Sequence, residues 1–123
     1  MTLNALGHAA GDLLLQQIAD RLIGCVKGRD IVARLGGDEF GVLLLDSDSI
    51  RDLCKVAEKL IEVVSSPVIL GNKSVVVSPS VGITLIPTDG REVTEILRNA
   101  DLAMYAAKQA GKKSYRFYAA SLQ

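Results

Sequence analysis

Two glycines followed at once by two acids, Gly36-Gly37-Asp38-Glu39, lie between an apolar run ending at Leu35 and another starting at Phe40. Glycines give a hairpin turn its backbone freedom and, having no Cβ, let a phosphate chain approach the backbone closely. Adjacent residues of a strand point to opposite sides, so Asp38 and Glu39 can serve different purposes, or both can reach one ion if the turn curls. Mg2+ takes carboxylate oxygens and keeps phosphate and water as its other ligands. A turn of this kind can therefore hold a Mg2+-nucleotide, and a Walker-type phosphate loop is absent from the chain. The plain alternative is a solvated acidic turn with no ligand.

The elements around the turn follow from hydrophobic period. Leu14, Leu15, Ile18, Leu22 and Cys25 recur at spacings of three and four, which predicts an amphipathic helix from Asp12 to Val26. Asp12 is placed to cap its start and Gly28 to end it. Ile31–Leu35 and Phe40–Leu45 read as two strands joined by the Gly-Gly-acid-acid turn. The second run is apolar on both faces, which suggests a strand inside a covered sheet. Asp46 to Ser49 supplies turn and capping residues before a second helix, Ile50–Val64, which Pro67 closes. Val68–Leu70 and Ser74–Val77, around Gly71-Asn72, suggest a small hairpin. Val81–Ile86 is a further strand, with Pro79 marking an edge or bulge. A third helix spans Val93–Ala110 with Ile96, Leu97, Ala100, Met104 and Ala107 inward, and Tyr115 to Tyr118 forms a last strand. The order predicts an α+β fold, an antiparallel sheet with packed helices.

At 123 residues the chain suffices for one domain, 1–123, with a core of its own. Formal net charge is zero and Trp is absent, which argues against a nucleic-acid partner. No apolar stretch approaches the roughly 20 residues of a membrane span, and Met1 to Asp12 has no signal-peptide character. Cys25 and Cys54 form no CxxC pair and read as small buried hydrophobes in a reducing cytoplasm.

Several motifs in one order carry a resemblance. These are Gly7-His8-Ala9-Ala10-Gly11-Asp12, Arg34-Leu35-Gly36-Gly37-Asp38-Glu39-Phe40, Val81-Gly82-Ile83, Ala100 to Lys108, and Gly111-Lys112-Lys113. From about Leu3 to Tyr118 the chain closely resembles the GGDEF diguanylate cyclase family. The resemblance implies a nucleotide-cyclase palm, ferredoxin-like, that condenses two GTP into cyclic di-GMP with two Mg2+ per site, across an antiparallel homodimer. It implies that Asp38 is a metal ligand and that Glu39 lies by the metal and the reacting 3′-hydroxyl. It further implies that Gly36 and Gly37 lie over the phosphates, that Asp12 bonds guanine, and that Lys108 and Lys112 contact phosphate. Each has a structural alternative: Asp12 as a helix cap, Lys108 and Lys112 as a basic helix end. His8 reads as a local hydrogen-bonder.

The sequence departs from the family pattern in places. The family has a front strand ending in a DxDxFKxIND-like motif, and this sequence starts inside that motif. Leu3 stands where the guanine-reading Asn is expected and Asn4 where the Asp is expected. Without that strand, Phe40–Leu45 and Val81–Ile86 are expected to pair with each other or with a second chain. The inhibitory RxxD stretch is Lys27-Gly28-Arg29-Asp30, a degenerate site, because Lys lacks the planar fork of Arg and Arg29 is out of register. The expectation is a cyclase-type domain impaired in turnover. The alternative is a non-catalytic module that binds a nucleotide or another protein.

Overall fold

The computed structural model describes residues 8–45 and 49–119. Among them the order is α1 (His8–Ile23), β1 (Ile31–Gly36), β2 (Glu39–Leu43), α2 (Ile50–Ser65), β3 (Val68–Leu70), β4 (Lys73–Val75), β5 (Ser80–Ile83), α3 (Val93–Gln109) and β6 (Ser114–Phe117). The fold is α+β, and the chain forms two compact units, Met1–Val77 and Ser78–Gln123. The expectations for Leu3, Asn4 and the His8 side chain, and for Asp46 to Asp48 in the turn before α2, lie outside the described residues.

The first unit packs α1 and α2 against two antiparallel hairpins, β1–β2 and β3–β4. Its core is Leu14, Ile18 and Leu22 from α1, Leu60 and Val64 from α2, and Val68 and Leu70 from β3. Both helices bury one stripe because their apolar residues recur at three and four. Ser49 caps α2 by accepting from the Asp52 N–H at 3.1 Å. The opposite end of α2 is held by Arg21 of α1. Its guanidinium donates to the carbonyls of Val63 (3.0 Å), Ser66 (2.6 Å) and Pro67 (2.8 Å). Carbonyls at a helix end and just beyond it are short of backbone donors, so a cation with several donors satisfies them well.

The second unit lays α3 on a two-stranded sheet, β5–β6. Here the pairing is parallel, Ser80 to Ser114 through Ile83 to Phe117, because a helix rather than a tight turn joins the strands. Gly82 lies where β5 meets α3. A Cβ there would stand 2.0 Å from the Ala100 carbonyl oxygen and 2.5 Å from the Met104 nitrogen, so only glycine fits. Ala103 and Ala107 of the same helix are fully buried. Asn99 is buried too, and its amide nitrogen donates to the Asp89 carbonyl at 2.8 Å. Among the described residues β2 pairs only with β1, and β5 only with β6.

Several expectations are corrected. Helix α1 already includes His8 and ends at Ile23, so Asp12 lies inside the helix instead of capping it, and Gly28 falls in the following loop with φ 55°. Strand β2 stops at Leu43, which is 40% exposed, so the strand is not covered on both faces. Leu97 is 41% exposed, and Ala103, absent from the expected inner face of α3, is buried instead. Cys25 and Cys54 are half-buried free thiols, with Cys25 against the core cluster.

Candidate functional site

The β1–β2 hairpin is built to expose its tip. Its register pairs Ile31 with Leu43, Val32 with Val42, Ala33 with Gly41 and Arg34 with Phe40, then slips, so that Gly36 meets Glu39. Alternation turns Val32 and Phe40 toward the core, where both pack on the buried cluster. Ile31 and Leu35 point to the other side and remain exposed. The slip leaves Leu35 as an extra residue, a bulge that raises the local twist at the turn. Gly37 has φ 50°, a left-handed conformation that favours glycine. A Cβ at Gly36 or Gly37 would meet nothing within 4 Å, so space is open over both. Asp38 is exposed at the tip, and Glu39, the first residue of β2, is half-buried.

The tip is braced from within. The Arg34 side chain folds along the strand, and its Nε–H donates to the Gly37 carbonyl at 2.8 Å. At the other end of the hairpin, Asp30 accepts from the Leu45 N–H at 2.9 Å and from the Lys27 N–H at 3.2 Å. The two residues expected to form a degenerate inhibitory site are thus joined to each other and to the base of the hairpin.

Asp12 comes together with the hairpin inside the first unit. It lies on the exposed face of α1 and lines an open groove of about 400 Å3 with Gln16, Ile23, Val32, Arg34 and Phe40. The groove has an apolar floor edged by the Asp12 acid and the Gln16 amide, while the Arg34 guanidinium is engaged with the Gly37 carbonyl. That composition suits a flat, polar-edged ring such as a nucleobase. Lys108 and Lys112 belong to the second unit. Lys108 is exposed in the last turn of α3, and Lys112 follows Gly111 with φ 44°, an uncommon conformation for a residue with a side chain.

Among the described residues no three His, Cys, Asp or Glu side chains cluster as a metal cage. The donors present are the adjacent carboxylates of Asp38 and Glu39, beside the open space over the glycines. That set does not fit an ion caged by protein alone. It does fit Mg2+ that arrives with phosphate and keeps water, which needs only one or two carboxylates. The sequence reading missed Arg34 as a structural donor, and it missed Gln16. A basic residue two positions before a Gly-Gly turn is a ready partner for a turn carbonyl, and Gln16 follows Asp12 by one helical turn, so both signals were present.

Comparison with known proteins shows the family and the fold. The family model described as "Diguanylate cyclase, GGDEF domain" matches residues 2–114. MucR of Pseudomonas aeruginosa, named a bifunctional diguanylate cyclase/cyclic di-GMP phosphodiesterase, is 44% identical over 119 residues, which are 97% of this chain and 17% of MucR. The structure of a delta-N mutant of TpbB (YfiN) from the same organism, comprising only its GGDEF domain, superposes with a TM-score of 0.89 at 39% identity, covering 97% of this chain and 70% of that one. An EAL/GGDEF domain protein from M. capsulatus gives a TM-score of 0.89 at 40% identity, covering 94% and 75%. The chain spans 17% and 15% of the lengths of the first two curated relatives it matches, MucR and YkoW of Bacillus subtilis.

Proposed function

Because the chain belongs to the GGDEF family of diguanylate cyclase domains, we propose that it holds Mg2+-GTP at the Gly36–Glu39 tip, as one half-site for making cyclic di-GMP. The observation that carries this reading is the open space over Gly36 and Gly37 beside the exposed Asp38 carboxylate. The fold and the family support it. MucR and TpbB are named diguanylate cyclases, and one GGDEF neighbour is described in an interaction with cyclic di-GMP.

In this reading residues 1–123 act as one domain, since the family match runs through both compact units. Asp12 bonds the guanine, with the groove floor against the ring. Gly36 and Gly37 lie along the phosphates; Lys108 and Lys112, in the second unit, are phosphate contacts by family position. Asp38 and Glu39 hold the cation, and Glu39 is the base offered to the reacting 3′-hydroxyl. When bound, Mg2+ neutralises charge on the triphosphate. Two copies in antiparallel arrangement each bring one GTP. The 3′-oxygen on one forms a bond to the α-phosphorus on the other, and the bond to pyrophosphate breaks. Such chemistry depends on positioning and charge neutralisation. The setting is cytoplasmic, in keeping with free thiols at Cys25 and Cys54. No helix among the described residues is long and apolar enough to cross a membrane.

A second reading, a non-catalytic nucleotide-binding or interaction module, is favoured by Leu3 standing where the family has its guanine-reading Asn. Two experiments separate these readings. GTP is titrated into wild type and Asp38→Ala with and without Mg2+, and a Mg2+-dependent gain in wild type that the variant loses is expected. Identical curves would reject the nucleotide site. With Leu3 in place of the guanine-reading Asn, chromatography of a GTP and Mg2+ incubation is expected to show little cyclic di-GMP. Turnover equal to that of an active GGDEF cyclase would reject impaired catalysis and the non-catalytic reading together.

A further inference from the structure

We propose that Arg34 is a positioning residue. Its guanidinium fixes the Gly37–Asp38 peptide and thereby aims the Asp38 and Glu39 carboxylates. The functional part of this inference rests on the Mg2+-nucleotide reading of the tip.

The turn has an intrinsic weakness. Two consecutive glycines carry the largest backbone freedom of any pair, and the register slip removes regular ladder bonding between Arg34 and Gly36. Left alone, such a tip samples many conformations, and a cation held by two carboxylates loses affinity for each one that is wrong. Packing cannot restrain it, because Gly36, Gly37 and Asp38 are all exposed and a Cβ on either glycine would touch nothing. Beyond the Gly36–Glu39 pair of the ladder, the Gly37–Asp38 peptide is held by the 2.8 Å bond from Arg34 Nε to the Gly37 carbonyl. It is charge-assisted, and so stronger than an ordinary turn bond.

The position of that bond matters. The peptide between Gly37 and Asp38 is planar and trans, so its C=O and N–H point in opposite directions. Holding the Gly37 oxygen toward Arg34 turns the Asp38 N–H away from it. It also fixes the peptide plane from which the Asp38 side chain departs. Arg34 is itself well anchored. It pairs across the ladder with Phe40, which packs on the core, and its β1 neighbour Val32 does the same. The guanidinium thus transmits the rigidity of the core to the exposed Gly37–Asp38 peptide. Lysine could donate to the same carbonyl, but through a single flexible ammonium without the planar fork.

The test uses the full chain, isotope-labelled, as wild type, Arg34→Lys and Arg34→Ala. In wild type a through-hydrogen-bond coupling between Arg34 Nε and the Gly37 carbonyl carbon is expected, with amide order parameters at Gly37 to Glu39 near the roughly 0.85 of rigid backbone. In Arg34→Ala those three amides should fall below about 0.6 while amides of β3 and β4 stay unchanged, which shows that the fold is retained. Arg34→Lys should lie between. Titration with GTP should show the Mg2+-dependent gain reduced about tenfold in Arg34→Ala, the loss expected for one exposed charge-assisted bond, with metal-free GTP affinity changed by less than about twofold. Unchanged order at Gly37 to Glu39 in Arg34→Ala would overturn the proposal. So would an equal loss with and without Mg2+, which would make Arg34 a direct nucleotide contact. A wild type with no Mg2+-dependent GTP binding would reject the proposed function instead, and the amide measurements would still decide whether Arg34 braces the turn.

Discussion

The Asp30 carboxylate accepts a hydrogen bond from the Leu45 N–H at 2.9 Å, closing the base of the hairpin whose tip carries Asp38 and Glu39. Its other oxygen accepts from the Lys27 N–H at 3.2 Å. A residue whose family position suggests product binding is thus committed to backbone groups on both sides of the β1–β2 pair. Asp30→Ala is expected to lower unfolding stability by about 1–2 kcal/mol, the loss of two partly exposed bonds to an ionised acceptor. Urea denaturation checks this, and Asp30→Asn, which keeps one acceptor oxygen, should lose less. Calorimetric titration with cyclic di-GMP should show no tight site. A submicromolar complex abolished by Asp30→Ala would contradict that expectation.

Gly82→Ala tests the contact of β5 with α3. Both atoms that the new Cβ would meet, the Ala100 oxygen at 2.0 Å and the Met104 nitrogen at 2.5 Å, are backbone and cannot swing aside. The strand and helix must separate, at a cost of about 3 kcal/mol or more. Hydrogen exchange should show faster exchange across α3 and β6, with β1 and β2 less affected. A variant as stable as wild type would show that the two elements can shift apart freely.

Arg21→Ala removes the donor that closes the end of α2. Three carbonyls, those of Val63, Ser66 and Pro67, lose a partner. A loss of about 2 kcal/mol is expected, since bonds to a charged donor exceed ordinary ones and these carbonyls are partly exposed to water. Arg21→Lys should recover only part, because one ammonium cannot span three acceptors as a planar fork does. Full recovery by Lys, measured by thermal or urea unfolding, would show that charge alone matters.

Self-association is expected from the sheet edges. Strands β2 and β5 each have one strand partner among the described residues, and Ile31 (52% exposed) and Leu43 (40%) leave one face of the hairpin apolar. Edges of this kind pair with other chains. Light scattering across a dilution series is expected to show the mass rising from one chain toward two. A constant monomer mass, with slow amide exchange in β2 and β5, would reject the dimer.

Much of the fold was legible in the residues. The spacings of Leu14, Ile18 and Leu22, and of Leu60 and Val64, gave helices whose faces the structure buries as expected. Gly36-Gly37 gave the hairpin turn, and Gly71-Asn72 gave the smaller one between β3 and β4. Where the reading slipped, a local signal competed with a distant one. Asp12 follows a glycine and has the chemistry of a cap, yet α1 already runs from His8, and Asp12 faces the groove beside Arg34. Leu97 has the right spacing for the inner face of α3. At Gly82 the backbone of Ala100 and Met104 makes the close contact, Ala103 and Ala107 are buried, and Leu97 stays 41% exposed.

The sequence alone determined the element order, the hairpin tip, the acids upon it and the family. These depend on side-chain period, on turn chemistry and on short motifs, all of which act within a few residues. Only the tertiary structure decided the parallel pairing of β5 with β6 and the reach of Arg21 to carbonyls 42 to 46 residues away. It also decided the Asp30 clasp on Leu45 and the meeting of Asp12 with Arg34 in one groove. Even the bond from Arg34 to Gly37, three residues apart, depends on the slip in register that curls the turn back over its own strand. Such contacts form where buried faces bring distant or folded-back segments together and their backbone groups then need partners.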